Sequence, residues 1–569
     1  MIRLSFVSPN YFIISRSRFY YNLGFAILAL MVSKVISAIP LGYNGHIIEV
    51  EGDSNKGLPH FNIVGMANKT IDESKERVRS AITNSDFSFP AKKVTINLAP
   101  AELNKDGAYL DLPIALSILI LSRQLLPTDV ENKLFVGELS LDGQIRPVRG
   151  IINILETAKE NNIRTVYIPA KNLAQASLVE NIEIIGVSNL KELFLCLKDI
   201  KAPSHVEEKS DSSQAGNRRR EAGSASISSH TAATAPREDG SARERIPDEK
   251  ISDFSTSATL LDHIRGQELA KRAITIAIAG HHNILISGPP GAGKTLLARA
   301  ATNLLPPQSN TEKLAATKLH SIAGLSQEIV ESRPFRSPHH TASQVSIIGG
   351  GKFASPGEIS LAHTGVLFLD EFPEYPRSVL EALRQPLEDK TIAISRANAK
   401  LTYPADFMLI ATMNPCPCGF LDSKDQECTC SAHHIAMYHK KLSGPLLDRI
   451  DMSIMVNKVN NSDLLRPVSN TSAEHEKAKQ QIAKALQKQT KRYGKPDIFN
   501  SSLSSHEVSK KLSITEEAKK LLETASKSLN LSARAYFKTL KVARTIADLE
   551  NREQIDIPSL SEALNYRKK

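Results

Sequence analysis

Residues 288–295 read GPPGAGKT, which matches the pattern GxxxxGK[ST]. Glycines let the backbone fold around a triphosphate with its N–H groups pointing inward. Lys294 brings a positive charge to the β- and γ-phosphates, and Thr295 offers a hydroxyl group to Mg²⁺. The predicted cofactors are therefore ATP and Mg²⁺. The candidate binding residues are Gly288, Pro289, Pro290, Gly291, Ala292, Gly293, Lys294 and Thr295.

Two carboxylates follow a second apolar run. Residues 366–369 read VLFL, and Asp370 and Glu371 come directly after them. Asp370 is predicted to hold the Mg²⁺ ion together with Thr295, and Glu371 to polarise the attacking water as a general base. An acidic pair after an apolar run is weak evidence alone, but downstream of a phosphate-binding loop it predicts hydrolysis of ATP.

Four of the five cysteines lie close together, at Cys416, Cys418, Cys428 and Cys430. Two CxC pairs in a chain from a reducing compartment fit four thiolates around a tetrahedral zinc ion. The predicted zinc knuckle spans residues 416–430. The CxC spacing is tighter than the commoner CxxC, so His433 or His434 is an alternative ligand to one thiolate. Four reduced thiols without a metal are the other alternative.

The phosphate-binding loop needs a strand before it and a helix after it. Residues 284–286 form a short apolar run, and residues 296–305, LLARAATNLL, have a helical pattern. This order of strand, loop and helix is the one that a P-loop requires. Residues 407–414 form another apolar strand, which ends in the amide of Asn414.

Patterns on both sides of this region indicate further domains. Residues 93–98 alternate apolar and polar side chains as a half-buried strand does, and residues 112–126 are a long apolar run typical of a buried helix. A helical pattern covers residues 505–569. The residues on its apolar face are Tyr536, Leu540, Ala543 and Ala547.

Length and composition fit a multidomain protein and permit an acidic partner. The 569 residues suffice for about three or four domains, and 41% hydrophobic content allows sizeable cores. The net charge of +10 permits nucleic acid as a partner without requiring it. The use of cysteine makes the cytoplasm the default location.

Two segments differ in character from the rest. Within residues 1–31, three arginines precede an apolar stretch at 25–32 that resembles a signal peptide. This stretch is far shorter than the about 20 apolar residues of a membrane span. Because a protein that uses ATP would be idle if it were exported, we interpret Met31 as the true start, so that the N-terminal segment within 1–31 is a doubtful extension. Residues 201–256 nearly lack large apolar side chains, which predicts a disordered linker.

Five phrases before the linker match a known family: GLPHFNIVG (57–65), ESKERVRSAI (73–82), TINLAPAELNKDG (95–107), DLPIAL (111–116) and GELSLDGQIRPVRGI (137–151). Residues 32–200 thereby resemble the α+β Lon-protease-like domain, of ribosomal-S5-type fold, that begins the ComM (YifB) family of magnesium-chelatase-like AAA+ ATPases. Aligned with Lon-type proteases, the positions of the serine nucleophile and the lysine base fall at about Tyr109 and Ile152. A nucleophile needs a base nearby, and these positions hold neither a serine nor a lysine. We therefore interpret the domain as non-proteolytic.

The resemblance resumes after the linker and covers residues 260–567. Residues 333–374 match the family closely, and Gly266 and Gln267 form the turn that leads into AAA+ motors beside the nucleotide. The resemblance implies an α/β fold, with a P-loop AAA+ core around a parallel sheet at residues 257–500 and a helical lid at residues 501–569.

Three further catalytic residues follow from the resemblance alone. Asn414 takes the sensor 1 position, which helps to position the water near the γ-phosphate. Arg449 takes the place of an arginine finger that reaches the neighbouring subunit's nucleotide, and Arg534 matches sensor 2, which contacts the phosphates from the lid. Otherwise Arg449 would be a surface ion pair and Arg534 a salt-bridged residue at a helix N-terminus. A finger requires a ring, and the family implies a homo-hexamer.

The resemblance also implies a substrate. Family members are implicated as helicases that drive branch migration in natural transformation, which predicts sequence-independent binding of single-stranded or branched DNA and no membrane partner. The predicted DNA contacts are Arg336, His339, His340 and Lys352. A magnesium-chelatase-like metal-insertion motor and a protein-remodelling chaperone are the alternatives. A chelatase needs partner subunits and a porphyrin pathway, which a single sequence does not reveal.

Overall fold

The computed structural model describes residues 32–65, 70–103, 105, 108–198, 259–351, 354–396, 399–421, 426–458 and 472–567. The predicted extension at 1–31, the predicted linker at 201–256 and Lys352 of the predicted DNA loop lie outside these residues.

The N-terminal half is built on a seven-stranded mixed sheet with the order β3-β4-β2-β1-β5-β8-β9. Its strands are β1 (Ser33–Leu41), β2 (Asn44–Asn55), β3 (His60–Val64), β4 (Lys93–Ala99), β5 (Lys133–Phe135), β8 (Thr165–Pro169) and β9 (Glu183–Val187), and β6 (Glu138–Leu139) pairs separately with β7 (Ile145–Arg146). The helices are α1 (Thr70–Asn84), α2 (Asp111–Leu121), α3 (Pro127–Val130), α4 (Ile151–Glu160), α5 (Leu173–Ala176) and α6 (Leu190–Leu197).

The two patterns seen in this part of the sequence are confirmed. Strand β4 alternates between buried and less buried side chains, because Val94, Ile96 and Leu98 face the core. Helix α2 is buried on all sides from Asp111 to Ile120, as a uniformly apolar helix must be.

Residues 259–458, the predicted ATPase half, contain a five-stranded parallel sheet with the order β11-β14-β17-β10-β18. Its strands are β10 (Ile284–Ser287), β11 (Phe335–Arg336), β14 (Val366–Leu369), β17 (Met408–Met413) and β18 (Met452–Met455). The helices around it are α7 (Glu268–Gly280), α8 (Lys294–Leu304), α9 (Asn310–Ala323), α10 (Gln344–Ile348), α11 (Glu358–Leu361), α12 (Arg377–Ala382), α13 (Arg384–Asp389), α14 (Ala432–Lys440) and α15 (Gly444–Leu447). The predicted parallel-sheet core is therefore confirmed.

Two short antiparallel pairs are not part of this sheet. Strands β12 (Gly349–Gly350) and β13 (Ser355–Pro356) form one, and β15 (Thr391–Arg396) and β16 (Ala399–Pro404) form a hairpin with six residues on each side. The hairpin lies in the chain between β14 and β17, two strands that end at the candidate site.

The C-terminal part is helical, as predicted, with α16 (Ala473–Tyr493), α17 (Ser505–Lys511), α18 (Glu516–Ser528), α19 (Ala533–Leu549) and α20 (Ile557–Asn565). Its first long helix begins before residue 501, where the sequence places the boundary, and packs against both α7 and α19. The predicted apolar face exists: Ala543 and Ala547 are buried, and Tyr536 and Leu540 pack against the core cluster.

The N-terminal half docks on helix α9 of the ATPase half. Lys318 of α9 is buried, forms an ion pair with Glu156 and lies 4.0 Å from the centre of the Tyr43 ring. Ser321 of the same helix accepts a hydrogen bond of 3.0 Å from the backbone N–H of Gly150. Buried polar contacts of this kind are costly to break, so the docking holds the two halves together.

None of the helices in the described part of the chain combines the length and apolar character that crossing a membrane requires.

Candidate active site

The loop between β10 and α8 has the shape of a phosphate-binding loop. Gly291 and Gly293 have φ angles of 77° and 82°, which favour glycine. A Cβ atom added to either glycine would meet no other atom within 4 Å. The space in front of these two glycines is therefore open, and the loop and the N-terminus of α8 suit a bound phosphate group.

Lys294 begins helix α8, and its ammonium group is held by neutral oxygens. Its Nζ donates hydrogen bonds of 2.6 Å to the Gly288 carbonyl, 3.0 Å to the Pro289 carbonyl and 2.9 Å to Oδ1 of Asn414. Burial lowers the pKa of Lys294, and the nearby carboxylates oppose this shift. These direct partners carry no negative charge, so the ammonium group is suited to an anionic ligand.

The predicted Mg²⁺ residues come together at the carboxyl ends of β10 and β14. Thr295 donates a hydrogen bond of 3.2 Å from Oγ1 to Oδ2 of Asp370. The other carboxylate oxygen accepts a hydrogen bond from the hydroxyl of Thr412. Hydroxyl and carboxylate oxygens are suitable Mg²⁺ ligands, so this pair fits the ion.

Sequence reasoning missed Thr412. This threonine is fully buried in β17, and its Oγ1 also accepts a hydrogen bond of 3.2 Å from the backbone N–H of Glu371. The available signal was a lone polar residue in the otherwise apolar run FMLIATM. These contacts make it a positioning residue for the Asp370 carboxylate and for the backbone of Glu371.

Glu371, the predicted general base, has an unusual backbone. Its φ angle is 51°, a left-handed conformation that is uncommon for a residue other than glycine and often marks functional sites. Its side chain is half exposed, and Oε2 lies 3.5 Å from Nδ1 of His340. His340 therefore faces the candidate base, a contact that the sequence did not reveal.

Arg336 of the predicted DNA loop has a partner within the chain. Arg336 lies in β11 and makes two hydrogen bonds to Glu358, from Nε at 2.5 Å and from Nη2 at 2.7 Å. Both side chains are mostly buried. A bidentate pair satisfies the guanidinium group, so Arg336 is a structural residue and is not available to contact DNA.

Arg449 and Arg534 do not reach the P-loop of their own chain. Both form ion pairs with Glu388 of α13. Asn283, the residue before β10, donates a hydrogen bond of 3.3 Å to the Arg449 carbonyl. Arg449 thus lies near the amino end of strand β10, and the P-loop begins at the carboxyl end of the same strand. The four residues of β10 separate its two ends by roughly 13 Å.

Among the described residues, the side chain of Arg534 pairs with Glu388 and makes no hydrogen bond to the P-loop of the same chain. The reason is the anchoring of helix α19. Lys538 of this helix donates hydrogen bonds to the carbonyls of Asp448 and Ile450, the latter at 3.0 Å. These bonds fix the first turns of α19 beside the segment that carries Arg449.

The four cysteines of the predicted knuckle lie together, with all sulfur atoms within 4.8 Å of one another. Cys416 Sγ is 3.3 Å from that of Cys418 and 3.6 Å from that of Cys428. Four sulfurs at about 2.3 Å from zinc would be roughly 3.8 Å apart, so a small expansion would admit the ion. Among the described side chains, His433 and His434 are outside this group.

The N-terminal half offers no serine and lysine at the two Lon-type positions. Tyr109 is mostly buried and packs against the apolar cluster that contains Ile152. Burial raises the pKa of the Tyr109 hydroxyl, which disfavours a nucleophilic phenolate. This packing supports the non-proteolytic interpretation.

Comparison with known families and proteins agrees with this geometry. The family model "Magnesium chelatase, subunit ChlI" matches residues 260–464, "Subunit ChlI of Mg-chelatase" residues 50–172, and "Magnesium chelatase, subunit ChlI C-terminal" residues 472–567. The competence protein ComM of Haemophilus influenzae is 39% identical over 544 residues, which cover 95% of this chain and 98% of that protein.

Two other relatives differ in how much of the chain they cover. The uncharacterized protein YifB of Escherichia coli is 37% identical over 542 residues, or 95% of this chain and 97% of that protein. The magnesium-chelatase 67 kDa subunit of Heliobacterium mobile is 27% identical over 183 residues, which are 27% of each chain. The ComM and YifB relatives thus match almost the whole chain, whereas the magnesium-chelatase subunit matches little more than a quarter of it. The chain therefore belongs to the ComM/YifB family of magnesium-chelatase-like AAA+ proteins, and this membership implies Mg²⁺-dependent ATPase activity.

Proposed function

We propose that this protein is a ring-forming ATPase motor that acts on DNA as a helicase and drives branch migration in natural transformation and recombination. The observation that carries the ATPase part is the meeting of Lys294, Thr295, Asp370, Glu371 and Asn414 at one edge of the parallel sheet. The site would work in the cytoplasm, where ATP is available.

Each residue of this edge has a separate task in hydrolysis. Bound ATP with Mg²⁺ would supply a phosphoryl group whose developing charge the metal ion neutralises. Lys294 would bind the phosphate oxygens, and Asp370 and Thr295 would hold the ion. Glu371 would accept the proton of the attacking water. Thr412 holds the Asp370 carboxylate and the backbone of Glu371 in position through its hydroxyl group.

The two arginines support a ring, which we propose to be a homo-hexamer. Arg449 and Arg534 meet at Glu388 on the edge opposite to their own P-loop. They line a cleft of ≈ 610 Å³. If this edge faces the P-loop of the next subunit, both arginines would stabilise charge on that subunit's nucleotide. The geometry thus favours action in trans for Arg534 as well as for Arg449.

Three observations support DNA as the substrate. One relative that covers 95% of the chain, from Haemophilus influenzae, is named a competence protein. The chain has a net charge of +10. The hairpin β15–β16 carries the exposed Lys400, and along the chain it connects the two strands that are followed by catalytic residues. Since Arg336 is committed to Glu358, this hairpin replaces it as the candidate DNA contact.

A metal-insertion motor is the second candidate. The likeness to a magnesium-chelatase subunit favours it, but that likeness covers 27% of the chain. A protein-remodelling chaperone is the third. All three would hydrolyse ATP at the same site, so the substrate decides between them.

A branch-migration assay on a synthetic three- or four-way DNA junction tests the proposal. We expect junction movement that requires ATP, and ATP turnover that rises when the junction is added. The Glu371→Gln variant is the matched control, because it should bind the junction without moving it. If the wild type hydrolyses ATP at low salt without DNA-stimulated turnover or junction movement, the helicase assignment is wrong and a remodelling function replaces it.

DNA affinity is expected to be independent of sequence and strongly dependent on salt. If roughly four phosphates are neutralised, affinity should fall about 100-fold between 50 and 200 mM salt. The Lys400→Ala variant should reduce the slope of log affinity against log salt by about one phosphate contact. Lys527→Ala, an exposed lysine of helix α18, is the control and should leave the slope unchanged. If Lys400→Ala had the same slope as Lys527→Ala, Lys400 would not be a DNA contact.

We also propose that Cys416, Cys418, Cys428 and Cys430 hold a zinc ion. The support is the mutual approach of four sulfur atoms in one cluster. Protein purified under reducing conditions should contain about one zinc ion per chain, measured by elemental analysis. Cys428→Ser should lose most of it. Less than about half an equivalent in the wild type would contradict the zinc site.

A further inference from the structure

The cysteine cluster lies directly against the phosphate-binding loop. Gly419, the residue after the first CxC pair, has a φ angle of 85°, and a Cβ added to it would lie 2.6 Å from Cδ of Pro290. A side chain at this position would therefore collide with the P-loop. Only the bare glycine backbone fits, so Gly419 and Pro290 are in contact.

The shape of this turn depends on the sulfur atoms. The backbone N–H of Gly419 donates a hydrogen bond of 3.0 Å to the Cys416 carbonyl. The N–H of Leu421 donates a bond of 3.3 Å to Cys416 Sγ, and the N–H of Cys418 one of 3.4 Å to Cys430 Sγ. The cluster thus fixes the backbone on both sides of the glycine that touches Pro290.

The same segment contacts the P-loop a second time. Asn414, two residues before the cluster, accepts the hydrogen bond from Lys294. Between these two points, the Pro415 carbonyl is 3.0 Å from Nε2 of His439 on α14. The P-loop is therefore in contact with both ends of the short stretch that the sulfur cluster closes.

From this arrangement we propose that a metal ion in the cysteine cluster regulates nucleotide binding, by holding Gly419 against Pro290 and Asn414 against Lys294. This inference depends on the proposed ATPase site and zinc site. The ion tightens nucleotide binding because the loop is already in the binding conformation when the nucleotide arrives. Loss of the ion releases the turn, and the P-loop must then be ordered at the expense of binding free energy.

The first test compares the zinc-loaded full-length protein with the same protein after chelation. We expect the Kd for a fluorescent ADP analogue to rise about tenfold when zinc is removed, within the range usual for coupled sites. Adding zinc back should restore the original value. A Kd that changes less than twofold after complete removal of zinc would overturn the proposal.

Variants show whether the contact with Pro290 transmits the effect. Cys428→Ser should raise the Kd for the ADP analogue as chelation does, and Cys196→Ser is the control, since Cys196 lies outside the cluster. Pro290→Ala removes the Cδ and Cγ atoms that touch Gly419, so removal of zinc should change the Kd less than in the wild type. An equally large zinc effect in Pro290→Ala would overturn the role of this contact.

A measurement without mutations guards against misfolded variants. Linkage requires that ADP strengthen zinc binding by the same factor by which zinc strengthens ADP binding. Zinc affinity from competition with a chromogenic chelator should therefore rise about tenfold with saturating ADP. A wild-type protein that binds ADP but shows no change in zinc affinity would overturn the regulation and leave the ATPase assignment intact. A zinc-loaded protein that binds no nucleotide would overturn both.

Discussion

Replacing Glu371 by glutamine is expected to lower ATP turnover by at least about 10²–10⁴-fold, the usual contribution of a general base. Nucleotide affinity should stay within about twofold, because the amide keeps the size of the side chain and Glu371 has no predicted role in holding phosphate. ATP should therefore remain trapped on the protein. Phosphate release measures the turnover, and retention of labelled ATP on a filter measures the trapped state.

Lys294→Ala is the variant to compare with Glu371→Gln, because it should lose nucleotide binding and not only turnover. It removes the ammonium group that lies among the Gly288 and Pro289 carbonyls and Asn414, and nucleotide binding should be lost along with turnover. If Glu371→Gln retained more than about a tenth of the wild-type turnover, another group would have to be the base.

Replacing Arg449 by alanine is expected to preserve nucleotide binding and to lower turnover by about 10³–10⁵-fold, as for other arginine fingers. The structure explains why binding should survive. The side chain pairs with Glu388 at the amino end of the sheet and has no bond to the P-loop of its own chain. Arg534→Ala should resemble Arg449→Ala, because its guanidinium group shares the same carboxylate.

Mixed rings test whether Arg449 acts in trans. Subunits with Arg449→Ala keep Glu371, and subunits with Glu371→Gln keep Arg449, so some interfaces in a mixture would contain both groups. Turnover should therefore recover when two inactive proteins are mixed. A double variant with both substitutions is the control partner and should give no recovery with Arg449→Ala. Failure of complementation at every ratio would refute action in trans.

The sequence predicted those parts of the site that are close together along the chain. The P-loop pattern placed Lys294 and Thr295, and the apolar run before Asp370 placed the two carboxylates. Each depends on a strand followed directly by a functional residue. Since parallel strands end at a common edge, the meeting of Asp370 with Thr295 at 3.2 Å follows from local patterns.

The parts that the sequence did not predict depend on contacts between distant segments. Nothing in the local pattern around Arg336 indicates its bidentate pair with Glu358, and nothing around Arg534 indicates that it shares Glu388 with Arg449. A charged residue has the same local signature whether a neighbour 22 or 146 positions away satisfies it. Only tertiary packing decides this.

The docking of the N-terminal half on helix α9 has a mechanical consequence. Helix α9 follows the P-loop helix α8 in the chain, and Lys318 is enclosed between the Tyr43 ring and the Glu156 carboxylate. Pulling this contact apart would leave a buried ammonium group without its partner. The seven-stranded sheet should therefore rotate with the ATPase half as one rigid body. A fluorophore on the outer strand β9 would then report the stroke of each ATPase cycle, far from any group that performs chemistry.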